Sequence, residues 1–120
     1  MDEMVRKTML KDVKPMKVEL DDFIELFNEN KVILLDIREP FETKVWGVNF
    51  SMQIPYNKLP DRLEELPKDK TIVCVCPQEY RASMAKEYLR YKGFVAKTLN
   101  GGLLGLMEKL KGGKAKDIKL

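Results

Sequence analysis

Five stretches of the chain have the hydrophobic pattern of β-strands. Two of them, residues 32–37 and 71–76, are almost unbroken apolar runs, the pattern of a strand that is buried on both faces of a parallel sheet. Pro40 and Pro77 lie just beyond these runs and mark where the strands should end. The other three predicted strands are shorter and cover residues 17–20, 51–55 and 94–99.

Between these strands the apolar residues recur at helical spacing. Asp21 and Asp22 place negative charge where a helix begins, an apolar face follows as far as residue 27, and residues 28–30 end the helix. Further helices are predicted over residues 59–66, 81–91 and 103–110, and a helical turn or loop over residues 41–48. In the helix over residues 81–91, the side chains expected to point inward are Met84, Ala85, Tyr88 and Leu89. Strands that alternate with helices predict an α/β fold with a small parallel β-sheet and right-handed crossovers.

The length of 120 residues suits a single domain with short additions at both ends. The strong patterns begin at residue 16 and stop at residue 110, so residues 1–15 are interpreted as an N-terminal extension. Residues 111–120 contain four lysines against the single acidic residue Asp117. We expect this lysine-rich C-terminal tail to be solvated; a docking patch for an acidic partner is the alternative.

The composition argues against several classes of function. The net charge is only +3 and the basic residues are interspersed with acidic ones, so we expect no nucleic-acid partner. No apolar run is long enough to span a bilayer and the first residues lack the pattern of a signal peptide. We therefore expect a cytoplasmic protein that does not enter membranes. The chain contains no histidine, which removes Cys-His dyads and most zinc sites, and we expect neither a metal nor a cofactor.

Two cysteines lie close together at the end of the second long apolar run. Cys74 and Cys76 are separated by one residue on a predicted strand, where a disulfide between them would be badly strained. Two thiols in a reducing compartment is the better interpretation. Cys74 lies inside the strand and is interpreted as a residue that packs in the core.

Cys76 differs from Cys74 because it ends the strand, and a helix should begin about five residues later. Functional sites of open α/β sheets form beyond the carboxyl ends of the strands. Backbone N–H groups of such a loop and the helix N-terminus favour negative charge, so the Cys76 thiol should ionise more easily. The loop residues predicted to bind a substrate are Pro77, Gln78, Glu79, Tyr80 and Arg81, with Tyr80 facing outward and Arg81 adding a positive charge. The alternative, a buried cysteine that only packs, stays open.

The order of several short motifs resembles that of a single-domain rhodanese. The matching pieces, in chain order, are Leu-Asp-Ile-Arg-Glu at 35–39, Phe-Glu at 41–42, Ile-Pro at 54–55, Leu-Pro-Lys-Asp-Lys at 66–70, the cysteine that ends its strand, Gly-Phe at 93–94 and Gly-Gly at 101–102. The resemblance covers about residues 18–110. It implies a rhodanese-like fold over residues 16–110, in which helices flank both faces of the sheet.

The resemblance also implies a sulfurtransferase with Cys76 as the catalytic nucleophile. Such a protein takes sulfane sulfur from a small donor, such as thiosulfate or a persulfide, and passes it to a thiol, to cyanide or to a protein acceptor. The family's active loop is Cys-x-x-Gly-x-Arg, and this chain matches it in Cys76, Arg81 and the loop length. Related phosphatases and arsenate reductases have five residues between cysteine and arginine; this chain has four, which favours sulfur over phosphate.

Glu79 is the main departure from the family's loop, where glycine is usual. Glycine adopts positive φ freely and glutamate does not, so the loop could be bent differently or strained. The carboxylate could oppose a thiolate and repel thiosulfate, or it could point to solvent. The alternative function is therefore a weak or inactive rhodanese-like module that binds or regulates a partner. A phosphatase-like activity is the third hypothesis.

Asp36 and Arg38 follow the first buried strand and are assigned a supporting role. They could support the active loop from the neighbouring strand end. The alternative, which we favour, is an ordinary ion pair at the end of the strand, for example between Arg38 and Glu39 or Glu42.

Overall fold

A five-stranded parallel sheet organises the chain, which the computed structural model describes from residue 16 to residue 120. The strands are β1 (Lys17–Val18), β2 (Val32–Asp36), β3 (Met52–Gln53), β4 (Thr71–Val75) and β5 (Ala96–Leu99). Their order across the sheet is β1-β5-β4-β2-β3, and all neighbouring strands are parallel. The two strands predicted from unbroken apolar runs therefore lie side by side, with β4 in the middle of the sheet. The predicted N-terminal extension over residues 1–15 lies outside the described residues.

Helices connect the strands, as the alternating pattern predicts. The α-helices are α1 (Leu20–Asn28), α2 (Pro40–Thr43), α3 (Tyr80–Tyr91) and α4 (Gly102–Leu110), and 3-10 helices cover Tyr56–Asp61, Leu63–Glu65 and Gly112–Asp117. Among residues 16–120, no helix is long and apolar enough to cross a membrane.

The side chains of the central strands alternate between two hydrophobic cores, one on each face of the sheet. Leu35, Ile37, Cys74 and Cys76 belong to the core that packs against α3. The residues between them, such as Leu34 and Val75, belong to the core beneath α1 and α4. Helices thus cover both faces of the sheet, and the predicted α/β architecture is confirmed.

The predicted helix over residues 59–66 is wrong in type. Two short 3-10 helices replace it, with Pro60 inside the first and Arg62 in a non-helical conformation (φ −131°, ψ 20°) between them. Because the backbone of Arg62 leaves the helical conformation, a continuous α-helix cannot run through this segment, and each half forms a tighter 3-10 turn. Its leucines still pack against the core on the α3 face.

The inward face of α3 also differs at one position from the prediction. Ala85 and Leu89 are buried and Tyr88 is partly buried, as expected, whereas Met84 is exposed. Lys86 is buried in its place. Because residues three and four positions apart share a helix face, the face that includes Ala85 and Leu89 continues through position 86 rather than position 84.

The C-terminal segment packs on the domain, which amends the expectation of a solvated tail. Its lysines are exposed, as expected, but Ile118 is buried in the core beneath α1 and α4. Asn28 at the end of α1 fixes the segment by donating to the Asp117 carbonyl (2.8 Å) and accepting from the Lys119 N–H (2.9 Å).

Candidate active site

Cys76 lies at the centre of the carboxyl edge of the sheet. It directly follows β4, the middle strand, and its side chain is only 2% exposed. The first turn of α3 approaches the thiol, and the Ala82 N–H donates to the Cys76 Sγ over 3.4 Å. A helix N-terminus with a free N–H directed at sulfur favours a negative charge on that atom.

The loop between Cys76 and α3 is attached to the start of α4 through its carbonyl groups. The Cys76 and Pro77 carbonyls accept from the N–H groups of Leu103 (2.9 Å) and Leu104 (3.2 Å). Gly102 makes this approach possible: a Cβ there would lie 2.0 Å from the Gln78 carbonyl oxygen, and the residue has a φ of +62°. The Gly-Gly before the last helix therefore shapes the loop.

Arg81 faces the loop but is engaged by Glu42 of α2. Its Nη1 and Nη2 donate to the two carboxylate oxygens over 2.6 and 2.8 Å, which is a bidentate pair. The hydrogen bonds from Arg81 lower the pKa of Glu42 to about 2, and the Glu39 N–H that donates to Glu42 contributes to the shift. The Arg81 pKa is raised mainly by the same pair. The positive charge expected at the loop is present and largely neutralised.

Glu79 does not strain the loop. Its φ is −134°, so glutamate at the usual glycine position needs no left-handed backbone. Its carboxylate pairs with the Lys17 Nζ at 2.5 Å and accepts from the Gly101 N–H at 3.2 Å. The hydrogen bond to Lys17 is the main cause of a lowered Glu79 pKa. The carboxylate is therefore bound by neighbours rather than free to solvent.

Asp36 and Arg38 form a fully buried ion pair beside the loop. Arg38 donates from Nε (2.9 Å) and Nη2 (2.7 Å) to the Asp36 carboxylate. Nη2 also donates to the Trp46 carbonyl (2.9 Å), and the guanidinium lies 4.3 Å from the centre of the Trp46 ring. An ion pair was expected here, but the proposed partners Glu39 and Glu42 are wrong. The contact to Trp46 fixes the segment after α2, the helix that holds Glu42.

The opening above Cys76 is a shallow cavity of about 200 Å³. It is lined by Cys76, Pro77, Gln78, Tyr80, Arg81 and Leu104. Four of the five predicted loop residues thus surround one cavity, and Glu79 does not line it. Tyr80 is 81% exposed at the rim, as expected. Leu104 was not predicted because its place in the site depends on how α4 contacts the loop.

Cys74 lies in a different environment from Cys76. It is completely buried in the core on the α3 face, and this burial raises its pKa to about 12. Both cysteines are free thiols. Within residues 16–120, no three Cys, Asp or Glu side chains are grouped so that they could hold a metal ion.

Comparison with known proteins agrees with this architecture. The chain matches the model of the rhodanese-like domain over residues 19–109, and it belongs to that family. It is 33% identical to a sulfurtransferase of Allochromatium vinosum over 81 residues, which cover 66% of this chain and 75% of that protein. The family resemblance inferred from the motifs is confirmed, and the relatives place the chain with the sulfurtransferases in general.

Solved structures of similar proteins have the same fold. The rhodanese-related protein of Thermoplasma volcanium superposes with a TM-score of 0.69 at 27% identity, covering 78% of this chain and 91% of that one. A single-domain sulfurtransferase of Saccharomyces cerevisiae gives a TM-score of 0.67 at 25% identity, covering 88% of this chain and 96% of that one.

Proposed function

We propose that this protein is a sulfurtransferase that holds sulfane sulfur on Cys76 as a persulfide. The observation that supports this most is the position of the Cys76 Sγ, which accepts the Ala82 N–H and borders an open cavity. A backbone donor at the start of a helix stabilises a thiolate or a persulfide anion more than a neutral thiol. Cys74 has neither an opening nor such a donor, so it is not a competing nucleophile.

The proposed reaction has a loading step and an unloading step. In loading, the Cys76 thiolate attacks the sulfane sulfur of a donor such as thiosulfate or a persulfide, and the donor's sulfur–sulfur bond breaks. The bonding electron pair leaves with sulfite or with a thiolate. In unloading, a thiol, cyanide or the thiolate of a protein acceptor attacks the outer sulfur, and the electron pair returns to the Cys76 sulfur.

The loop residues have distinct roles in this proposal. The Ala82 N–H stabilises the anionic sulfur, and Pro77, Gln78 and Tyr80 border the space for donor and acceptor. Arg81 acts mainly with Glu42 to position the loop, and the ion pair of Asp36 and Arg38 supports that arrangement from β2. The two free thiols suit a reducing compartment, so we place this chemistry in the cytoplasm.

The competing hypothesis of an inactive binding module rested on Glu79. Its carboxylate is directed to Lys17 and Gly101, and its φ is negative, so neither strain nor a free carboxylate argues against a reactive loop. We therefore keep the sulfurtransferase as the single proposal.

Mass spectrometry after exposure to a sulfur donor tests the proposal. The reduced protein is incubated with thiosulfate, and separately with a low-molecular-weight persulfide, and the modified peptide is identified. We expect one added sulfur atom on Cys76 in the wild type and in Cys74→Ala, and none in Cys76→Ser. Equal labelling of the two cysteines, or no labelling from either donor, would contradict the assignment.

A further inference from the structure

The cavity above Cys76 offers no uncompensated positive charge. Of the described residues that line it, Arg81 alone is charged. Both terminal nitrogens of Arg81 are bound to Glu42, whose pKa of about 2 keeps it ionised at any working pH. An anion that approached Arg81 would therefore also approach a carboxylate, and the attraction would be much reduced.

The start of α4 offers an anion no donor among the N–H groups of Leu103, Leu104 and Gly105. Its first N–H groups would ordinarily attract negative charge. Here the Leu103 and Leu104 N–H groups donate to the Cys76 and Pro77 carbonyls, and the Gly105 N–H donates to the Gly101 carbonyl. The first two of these N–H groups at the start of α4 thus bind the loop carbonyls, and the side chain of Leu104 lies at the cavity.

Apart from the uncharged amide of Gln78, the remaining wall of the cavity is largely apolar. Leu104 is 45% exposed and lies with Pro77 and the strongly exposed Tyr80 around the thiol. Covering the apolar surface of Leu104, Pro77 and the Tyr80 ring with an apolar group lowers the free energy, whereas this surface has no charge to attract a hydrated dianion.

We propose that the site selects sulfur donors with an uncharged, apolar body, namely organic hydropersulfides, over thiosulfate. This inference rests on the proposed function of Cys76. With a donor R–S–SH, the Cys76 thiolate attacks the terminal sulfur, the sulfur–sulfur bond of the donor breaks, and R–S⁻ leaves with the electron pair, so that Cys76 carries the S–SH group. R packs against Leu104, Pro77 and Tyr80. The Ala82 N–H is directed at the single negative charge on the sulfur, whereas thiosulfate brings two negative charges to a thiolate.

A matched pair of hydropersulfides separates this preference from intrinsic reactivity. The two probes carry the same hydropersulfide group and differ in the rest of the molecule: the benzyl body of benzyl hydropersulfide is uncharged and apolar, and the body of 2-sulfonatoethyl hydropersulfide is anionic. The rate at which each donor loads Cys76 is measured by mass spectrometry of samples quenched at successive times. Each rate is divided by the rate at which the same donor reacts with free cysteine methyl ester. We expect the normalised rate with the benzyl donor to exceed that with the sulfonate donor by roughly tenfold or more, because the sulfonate would be repelled at short range by the Cys76 thiolate and by Glu42.

Two variants test the cause of the preference. Leu104→Lys adds a positive charge at the rim and removes apolar surface, so it should lower the ratio of the two rates about three- to tenfold. Glu42→Gln releases Arg81, so the rates with the sulfonate donor and with thiosulfate should rise relative to the rate with the benzyl donor, which reports any loss of loop positioning. Leu120→Lys, a change at an exposed leucine that does not line the cavity, is the control and should leave the ratio unchanged.

The outcomes distinguish this inference from the proposed function. Loading of Cys76 with equal or greater normalised rates for the sulfonate donor would overturn the donor preference alone. A ratio that Leu104→Lys and Leu120→Lys change equally would also overturn it. If neither donor loads Cys76, the proposed function itself is wrong and the preference falls with it.

Discussion

The ion pair of Glu42 and Arg81 should stabilise the fold in a pH-dependent way. Glu42→Gln removes the negative charge and keeps the size of the side chain. In the folded protein the pKa of Glu42 is about 2, against an ordinary value of 4.5. At about 1.4 kcal/mol per tenfold change in proton affinity, full retention of this difference would be worth about 3 kcal/mol.

Solvent reduces that figure. The side chain of Glu42 is 20% exposed and that of Arg81 is 40% exposed, so water screens the pair. We therefore expect Glu42→Gln to lower the free energy of unfolding by about 1–2 kcal/mol at neutral pH. Because the folded pKa lies below the unfolded one, this stabilisation is complete above about pH 4.5. It is lost as the pH falls through about 2.

The assay is urea denaturation of wild type and variant at about pH 7 and about pH 3, followed by the fluorescence of Trp46, the single tryptophan. At the lower pH, the difference between the two proteins should fall to less than half of its neutral value. Glu65→Gln is the control, because its partner Arg62 lies on the exposed surface of the same turn, and it should have a smaller effect. A Glu42→Gln effect that is absent at neutral pH, or unchanged at the lower pH, would refute this reasoning.

Three further predictions test the site and its surroundings. Iodoacetamide at about pH 8 should alkylate Cys74 at least about a thousandfold more slowly than a free cysteine, because a pKa of about 12 leaves very little of its thiol ionised. Peptide mapping measures both rates, and comparable rates would contradict the burial of Cys74. Gly102→Ala places a Cβ against a loop carbonyl and should slow the loading of Cys76 about tenfold or more. Gly113→Ala, which meets nothing within 4 Å, should load normally, and equal rates for the two variants would rule out the proposed loop contact. Ile118→Ala should cost about 2 kcal/mol in thermal or urea denaturation if the C-terminal segment packs on the core; an unchanged melting temperature would show that it does not.

The central strands and the position of the loop after Cys76 could be predicted from local sequence patterns. A buried parallel strand needs an apolar run, so β2 and β4 are visible as uninterrupted hydrophobic stretches. Cys76 could be located because it ends such a run just before a helix, and strand ends meet at one edge of the sheet. The short strand β3 pairs through two residues, and its length depends on the neighbouring strand rather than on its own sequence.

Contacts between distant parts of the chain could not be predicted in the same way. Arg81 pairs with Glu42, which lies 39 residues away, and Glu79 pairs with Lys17. A charged surface residue can form ion pairs of similar free energy with several partners, so the sequence alone does not determine which pair forms. The sequence left open whether Glu79 strains the loop, faces the sulfur or points to solvent; its φ of −134° shows no left-handed strain, and its carboxylate pairs with Lys17.

The measurement that tests the account most directly follows one sulfur atom through Cys76. Protein loaded with an isotopically labelled sulfane sulfur is freed of excess donor, the modified peptide is mapped, and cyanide is added. The account predicts one labelled sulfur per chain on Cys76, its release as labelled thiocyanate in equal amount, and neither event in Cys76→Ser. Labelled thiocyanate from Cys76→Ser at the wild-type level, or a stable label on Cys76 that neither cyanide nor a thiol removes, would contradict it.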